Sequence, residues 1–253
     1  MRPNTFKRKL AAGETTVGAW LSIPSGYAAE IVASQGVDAA VVDLQHGMIG
    51  LDTALAMLQA VSATNATPLA RSGGIDDAQI MRLLDSGAYG VVCPMISTPQ
   101  DAAEFVAACR YPPVGRRSYG PARGLLYGGP DYVSRANGEI MAVAMIETRA
   151  GVDNVQQIAA VEGVDALFIG PNDLALDLGS EPVPESRDPV VVDAIRRIRE
   201  AGAEAGIPVG IFASTPEAAA ARAREGFLWV VPDNDAGLLA KATARGVAAV
   251  REA

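Results

Sequence analysis

Residues 164–170 read Val-Asp-Ala-Leu-Phe-Ile-Gly, a short and almost continuously apolar run that ends in a glycine. A strand of this composition is typical of a parallel sheet, in which both faces of the strand are buried. Seven further strand-like runs follow the same pattern, at 15–23, 38–44, 67–72, 89–95, 140–147, 208–212 and 227–232. They alternate with Ala-rich segments that predict helices, at 25–35, 51–64, 76–87, 99–110, 151–161, 189–205, 215–225 and 235–251. Eight strand–helix pairs predict an α/β fold, a (β/α)8 TIM barrel formed by residues 1–253 as a single domain.

A doubly wound open sheet is the alternative architecture. Such sheets usually carry a glycine fingerprint in the first strand-to-helix turn, and here residues 22–30 read Ser-Ile-Pro-Ser-Gly-Tyr-Ala-Ala-Glu. Two connections, 111–137 and 171–188, are longer than usual. The first contains Arg116, Arg117 and Arg123. It either wraps towards the top of the barrel, meets another subunit, or is a solvated loop.

Composition excludes several classes of protein. The chain has 253 residues, 49% of them hydrophobic, and a formal net charge of −8, which disfavours nucleic acid and anionic membranes as partners. No apolar run approaches the ~18 residues of a membrane span, and the basic opening is not followed by the apolar region of a secretory signal. Two cysteines, Cys93 and Cys109, provide neither a disulfide framework nor zinc-ligand spacing, so a cytoplasmic location is expected.

Polar residues collect at the ends of the predicted strands, which is where a barrel carries its function. They are Asp43, Gln45 and His46 after the second strand, Arg71 after the third, Glu147 after the fifth, and Gly170, Pro171, Asn172 and Asp173 after the sixth. His46 is the only histidine and a candidate proton carrier, or else a buried histidine satisfied by the backbone. Arg71 could hold a carboxylate or an enolate oxygen, or form an ion pair inside the barrel.

Glu147 and Asp173 follow neighbouring strands, and two converging carboxylates repel unless a cation lies between them or one is protonated. With water and a chelating substrate they would suit Mg²⁺ or Mn²⁺. The alternative is that each residue caps a helix or turn. None of the three lysines, Lys7, Lys9 and Lys241, ends an apolar run, which makes Schiff-base chemistry improbable. A metal is then the remaining electrophile.

Two further features concern neighbouring groups. The turn at 170–173 resembles a strand-to-helix turn whose free N–H groups bind anions, including carboxylates. Asp85, at the end of the third predicted helix, could reach His46 and orient its ring, or could be a surface residue. The apolar stripe of the last helix, within 237–253, could pack on a neighbouring subunit.

Taken together, the motifs resemble the HpcH/HpaI aldolase family, in order and across nearly the whole chain. They are Asp-Leu-Gln-His-Gly at 43–47, Arg71, Leu-Asp-Ser-Gly-Ala at 84–88, Gly-Arg-Arg-Ser-Tyr-Gly-Pro-Ala-Arg at 115–123, Ile-Glu-Thr at 146–148 and Gly-Pro-Asn-Asp-Leu at 170–174. The resemblance implies a barrel, usually hexameric, with metal-dependent class II aldolase activity. Such an enzyme reversibly cleaves a 4-hydroxy-2-oxo acid, through an enolate, to pyruvate or hydroxypyruvate and an aldehyde.

The resemblance also implies roles for single residues. Glu147 and Asp173 match the metal carboxylates, with Mg²⁺ or Mn²⁺ expected and Co²⁺ or Zn²⁺ as alternatives. Arg71 matches the arginine on the pyruvate oxygen, and His46 with Asp85 matches a dyad that manages the proton through water. The backbone of Gly170, Pro171, Asn172 and Asp173 matches the carboxylate cradle.

The chain departs from the family pattern at two positions. Gln45 stands where many members have glutamate, and Met145 stands where many have glutamine. These departures leave the natural donor and acceptor open. Two other functions are also open: a CoA-thioester lyase of the citrate lyase β or malyl-CoA lyase type, with the loop arginines on the CoA phosphates, and a non-catalytic barrel that only binds a 2-oxo acid.

Overall fold

A computed structural model describes residues 1–252, and in it eight parallel strands close into one barrel. The strands follow chain order: β1 (Thr16–Leu21), β2 (Ala39–Asp43), β3 (Thr67–Arg71), β4 (Gly90–Cys93), β5 (Met141–Ile146), β6 (Ala166–Ile169), β7 (Val209–Phe212) and β8 (Trp229–Val231). The barrel closes where Thr16 and Val17 of β1 pair with Trp229 and Val230 of β8. The predicted (β/α)8 barrel is therefore confirmed, and the open doubly wound sheet is excluded because the sheet has no free edge.

Thirteen helices lie within the described residues. They are α1 (Thr5–Ala11), α2 (Gly26–Ala33), α3 (Leu51–Ser62), α4 (Asp77–Asp85), α5 (Pro99–Cys109), α6 (Ala122–Gly128), α7 (Tyr132–Glu139), α8 (Arg149–Asp153), α9 (Val155–Ala159), α10 (Pro171–Asp177), α11 (Pro189–Ala205), α12 (Pro216–Arg224) and α13 (Asp235–Arg251). Every predicted helix is present, although 151–161 contains two short helices. The final residue of the predicted stripe at 237–253 lies outside the described residues. Four helices were not predicted from the sequence: α1, α6, α7 and α10.

The barrel interior is filled by side chains from alternate strand positions. Trp229 and Phe168 pack with ring centroids 4.6 Å apart, and Phe6 of α1 closes the lower end with an edge-to-face contact on Trp229. Gly18 is required here, since a Cβ at that position would lie 2.2 Å from Nε1 of Trp229. The interior is therefore a packed core rather than a pore.

The same alternation places polar groups at the upper end of the barrel. On β2 the interior residue Val41 is followed two positions later by Asp43, and on β3 Leu69 is followed by Arg71. Asp43 and Arg71 are direct neighbours in the sheet register. On β5 the interior residue Met145 is followed two positions later, just beyond the strand end, by Glu147, which is buried. Strand periodicity thus brings these three charged residues to one rim.

The long connection after α5 lies along α4. Arg116 pairs with Asp77 in the first turn of α4, and Arg117 pairs with Asp85 at its last residue, both at 2.6 Å. Arg117 is buried and stacks on the ring of Tyr111. The segment is therefore anchored at Arg117 and contains α6 and most of α7, so the alternative of a solvated loop is wrong. Within residues 1–252, no helix combines the length and the apolar character that a bilayer crossing requires.

Candidate active site

A cleft of about 280 Å³ opens at the carboxyl ends of the strands. Seven of the nine residues predicted to share one rim lie in its walls, whereas Gln45 and Glu147 are not part of the lining. The full lining is Trp20, Ser22, Asp43, His46, Arg71, Met145, Phe168, Gly170, Pro171, Asn172, Asp173, Phe212 and Asn234. Met145 contributes its thioether chain, so this wall is apolar where a glutamine would be polar.

Arg71 is held by a two-pronged ion pair with Asp43. Nε donates to Oδ1 at 2.8 Å and Nη2 donates to Oδ2 at 2.6 Å, while the guanidinium carbon lies 4.9 Å from the ring centroid of Trp20. Trp20 Nε1 also donates to Asp43 Oδ2, at 3.2 Å. The ion pair inside the barrel, one of two interpretations of Arg71, is therefore present. Because Arg71 also lines the cleft, the pair fixes its guanidinium in place without removing it from the site.

Asp43 is charged in this setting. Burial is the largest influence on its pKa and would raise it, but the hydrogen bonds and charge of Arg71, with the N–H groups of His46 and Gln45, hold the pKa below its usual value. The two N–H groups donate to Oδ1 at 3.3 and 3.0 Å. Asp43 therefore shapes the turn after β2 and presents His46 at the cleft.

His46 is exposed and lines the cleft. Within residues 1–252 its ring makes no hydrogen bond to protein, so the interpretation of a buried histidine satisfied by the backbone is wrong. The predicted contact with Asp85 is not formed either. Asp85 accepts a hydrogen bond from Nη2 of Arg117 at 2.6 Å and borders a separate depression beside Gly120. Burial raises the pKa of Asp85 above its usual value, and Arg117 opposes that rise.

Glu147 is the most deeply buried charged residue of the site, with 1% of its surface exposed. Oε1 accepts the backbone N–H of Met95 at 2.9 Å, whereas Oε2 has no hydrogen-bond partner in the described part of the chain. Oε2 points at Gly170, where a Cβ would come within 2.2 Å of it. Burial, which outweighs the Met95 hydrogen bond and is assisted by the charge of Asp173, raises the pKa of Glu147 to about 7.

Glu147 does not cap a helix, contrary to one of the two interpretations of its role. The N-cap of α8 is Thr148, whose hydroxyl accepts the N–H of Gly151 at 2.9 Å. Nor does Asp173 act as a side-chain cap: it lies in the first turn of α10, where no side chain caps the helix. Asp173 therefore lines the cleft, and Oε2 of Glu147 lies against Gly170 in the cleft wall.

These residues fit a hard divalent cation. A buried carboxylate oxygen without a partner, next to a second carboxylate, matches the one or two carboxylates with which Mg²⁺ is commonly bound, the rest of its shell being water and substrate. Among residues 1–252 there is no group of three or more His, Cys, Asp or Glu side chains that could enclose a metal. A cation here would rely on two side-chain ligands and an oxygen-rich substrate.

Several residues of the cleft were not anticipated from the sequence: Trp20, Ser22, Phe168, Phe212 and Asn234. Trp20, Ser22 and Asn234 obey the strand-end rule that identified the other site residues, because they lie at the ends of β1 and β8. The role of Met95 could not be predicted from its residue type, because it is the backbone N–H of Met95, and not its side chain, that contacts Glu147.

The comparisons with known proteins agree with this geometry. The family model described as HpcH/HpaI aldolase/citrate lyase matches residues 16–248. A hydroxypyruvate/pyruvate aldolase from Rhizorhabdus wittichii is 38% identical over 239 residues, covering 94% of this chain and 95% of the relative. A 4-hydroxy-2-oxo-heptane-1,7-dioate aldolase from Escherichia coli is 38% identical over 245 residues, covering 94% and 92%.

The solved structures include a similar protein of the same family from Burkholderia cenocepacia. It superposes with a TM-score of 0.91 at 34% sequence identity, and the match covers 98% of this chain and 99% of that protein.

Proposed function

The chain belongs to the HpcH/HpaI aldolase/citrate lyase family, and from this premise we propose that it is a metal-dependent class II aldolase. It is a carbon–carbon lyase, as are its aldolase relatives at 38 to 42% identity. The reaction proposed is the reversible cleavage of a 4-hydroxy-2-oxo acid to pyruvate or hydroxypyruvate and an aldehyde. The observation that supports it most is the buried, unpartnered Oε2 of Glu147 beside Asp173.

Glu147 and Asp173 would hold the cation, for which Mg²⁺ or Mn²⁺ is proposed and Co²⁺ or Zn²⁺ are alternatives. When bound, a divalent ion acts as a Lewis acid that stabilises negative charge developing on a substrate oxygen. The absence of a side chain at Gly170 leaves room for Oε2 of Glu147 beside the cleft wall, since a Cβ there would lie 2.2 Å from that oxygen.

Arg71 stabilises the oxygen of the enolate. Its guanidinium is already fixed by Asp43 and Trp20, so no reorganisation is needed when charge develops. One donor of this kind is typically worth about 3 kcal/mol of transition-state stabilisation. Nη1 makes no hydrogen bond to protein within residues 1–252, which leaves it for the substrate.

His46 carries the proton in this proposal. During cleavage it accepts the proton of the C4 hydroxyl, directly or through water, and in synthesis it returns that proton. The carboxylate of the substrate lies at the turn after β6, where Pro171 has no N–H and the amides of Asn172 and Asp173 are the available donors. Asp85 is engaged with Arg117 and has no role in this arrangement within one chain.

The CoA-thioester lyase is less well supported, since the arginines that would bind CoA are engaged elsewhere. Arg116 pairs with Asp77, Arg117 is buried against Asp85, and Arg123 donates to the carbonyl of Ser86 at 2.8 Å. None of the three lines the cleft. A small 2-oxo acid is the better match, and assays with malyl-CoA against a 4-hydroxy-2-oxo acid separate the two functions.

We also propose that the protein is a homo-oligomer, with the hexamer of its family as the expected form. Asp235 is the only buried residue of α13 among its described positions, while Leu239 is 61% and Val250 is 80% exposed. A helix whose apolar side chains are left so exposed on its own barrel is suited to pack against a second copy. A monomeric mass by light scattering at micromolar concentration would refute this. The two free, buried cysteines support a cytoplasmic location.

Exchange of the methyl protons of pyruvate for deuterium tests the enolate chemistry without an aldehyde. Metal-stripped protein is incubated with pyruvate or hydroxypyruvate in D₂O, each metal is added back, and exchange is followed by proton NMR. We expect exchange with metal, loss of exchange in excess chelator, and a sharp fall in Arg71→Ala. Arg116→Ala, outside the cleft, is the matched control. A protein that only binds a 2-oxo acid has no reason to labilise a C–H bond. With metal binding verified, absence of exchange for both donors would leave the CoA-thioester lyase as the better assignment.

A further inference from the structure

Asn234 lies beyond the end of β8 and lines the cleft. Its Oδ1 accepts the N–H of Gly237 at 2.6 Å, as the N-cap of α13, and this bond fixes which way the amide faces. Nδ2 has no hydrogen-bond partner in the part of the chain that is described, and the residue lines the cleft. A bridge between the backbones of Trp20 and Asn234 anchors it to the end of β1.

Ser22 lies beside this amide on the same rim. Its Oγ donates to Oδ1 of Asp235 at 2.9 Å, and the N–H of Ser22 also donates to that oxygen. Because the hydroxyl proton is engaged with Asp235, the oxygen of Ser22 offers the cleft only lone pairs. The rim thus combines a donor at Asn234 with an acceptor at Ser22, which is what one hydroxyl group of a ligand requires.

The position of these two groups indicates which part of the substrate they meet. The proposed function assigns the substrate carboxylate to the turn after β6 and the oxo oxygen to Arg71. The part of the lining contributed by β1, β7 and β8 is then left for the substituent on C3. On that side the described lining consists of Trp20, Phe212, Ser22 and Asn234, so two aromatic walls flank one polar pair.

We propose that Asn234 and Ser22 form a hydroxyl-binding subsite for the donor, so that this chain selects hydroxypyruvate over pyruvate. This inference rests on the proposed aldolase function. The methyl group of pyruvate would cover Nδ2 of Asn234 without a hydrogen bond, and a desolvated donor left unpaired is unfavourable. The C3 hydroxyl of hydroxypyruvate accepts from Nδ2 and donates to Ser22 Oγ.

The exchange reaction in D₂O isolates the donor, since no aldehyde is present. The measurement is the ratio of the C3–H exchange rate of hydroxypyruvate to that of pyruvate, with saturating metal. Asn234→Ser retains a residue that caps helices well and removes the amide donor. Ser22→Ala removes the acceptor, while the N–H groups of Ser22 and Ile23 still hold Asp235. We expect the ratio to fall roughly tenfold in Asn234→Ser and several-fold in Ser22→Ala, the usual effect of one neutral hydrogen bond.

Ser25→Ala is the matched control, because Ser25 caps α2 outside the cleft and its loss should leave the ratio unchanged. Thermal melts verify that each variant is folded. An unchanged ratio in both folded cleft variants would overturn the inference. The inference would also be overturned if the two variants lowered only the preference for glycolaldehyde over acetaldehyde as the aldehyde in synthesis. The subsite would then bind the aldehyde rather than the donor. Absence of exchange in the wild type with either donor would instead overturn the proposed function.

Discussion

The backbone N–H of Met95 donates to Oε1 of Glu147 at 2.9 Å, across the gap between the ends of β4 and β5. Met95 adopts a φ of 60°, a conformation unusual for a residue with a side chain, although that side chain is 52% exposed. Two more hydrogen bonds join the same turns, from the N–H of Ile96 to Met145 O and between the hydroxyls of Ser97 and Thr148. The turn after β4 therefore fixes Oε1 of Glu147, while Oε2 has no hydrogen-bond partner in the described part of the chain.

Substitutions at Met95 should separate its backbone from its side chain. Met95→Gly retains the N–H and adopts positive φ without cost, so metal affinity should stay close to that of the wild type. Met95→Pro removes the N–H and fixes φ near −65°, so the dissociation constant of Mn²⁺ should rise by about tenfold or more. Calorimetry of metal binding measures both variants, with thermal melts to verify folding. A folded proline variant with wild-type affinity would show that the Met95 hydrogen bond does not position Glu147.

Arg71→Lys tests the planar, two-pronged geometry of the guanidinium. Lysine retains the charge but cannot make both bonds to Asp43 and still present a fixed donor to the substrate. The rate should fall on the order of 10²-fold or more, as it does when a donor to a developing oxyanion is lost. Arg116→Lys, in the surface pair with Asp77, is the matched control. A loss equal to that of the control would mean that only charge matters at position 71.

His46→Ala tests the proton carrier. The side chain is exposed at the cleft and makes no hydrogen bond to protein within residues 1–252, so its removal should leave the melting temperature nearly unchanged. The rate of cleavage should nevertheless fall by ~10²–10⁴, the range for general acid–base groups. Added imidazole should restore part of it. A lower melting temperature with an unchanged rate would assign His46 a structural role.

The sequence was sufficient for the barrel and for most of the rim because both depend on strand periodicity. An apolar run defines a strand, and alternation then fixes which residue beyond its end faces inward, as for Val41 and Asp43. Arg71 remained ambiguous for a physical reason. Its pairing with Asp43 depends on the register of β2 and β3, which is not encoded in either segment alone.

The features that were not predicted lack a local pattern. Helices α6 and α10 are short, with glycines or a proline at their ends, and they pack on neighbouring helices, α6 on α4 and α7, and α10 on α11. Their stability therefore depends on tertiary packing rather than on helix propensity. The expected contact between His46 and Asp85 depended on the path of 111–137, because Arg117 from that segment occupies the carboxylate. Asn234 was not predicted as a site residue because its position in the sequence is that of a helix cap. A helix cap does not indicate that the same residue also lines a cleft.

Removing the charge of Glu147 should stabilise the metal-free protein at high pH. Burial raises the pKa of this carboxyl from 4.5 to about 7, so its proton is bound more tightly in the folded chain than in the unfolded one. Burial of Glu147 therefore costs no stability below pH 4.5. The free energy of unfolding falls as the pH rises from 4.5 to 7, and above pH 7 the loss is complete. A shift of this size corresponds to about 3 kcal/mol. In excess chelator, Glu147→Gln should be more stable than the wild type at pH 8 by up to that amount, and the difference should vanish near pH 4. Denaturant unfolding at both pH values measures it.

Metal should then reverse the order of stability. Mn²⁺ at about 1,000 times its dissociation constant stabilises a folded protein by about 4.1 kcal/mol, which exceeds the penalty of about 3 kcal/mol, and only the wild type retains the carboxylate that binds the ion. Glu181→Gln is the matched control, because the Glu181 side chain is exposed and has no hydrogen-bond partner within residues 1–252. Its free energy of unfolding should equal that of the wild type at both pH values, with and without metal. If the wild type were the more stable protein at pH 8 without metal, the carboxylate would have a compensating partner in the folded chain. The free oxygen of Glu147 could not then be the feature that recruits a cation.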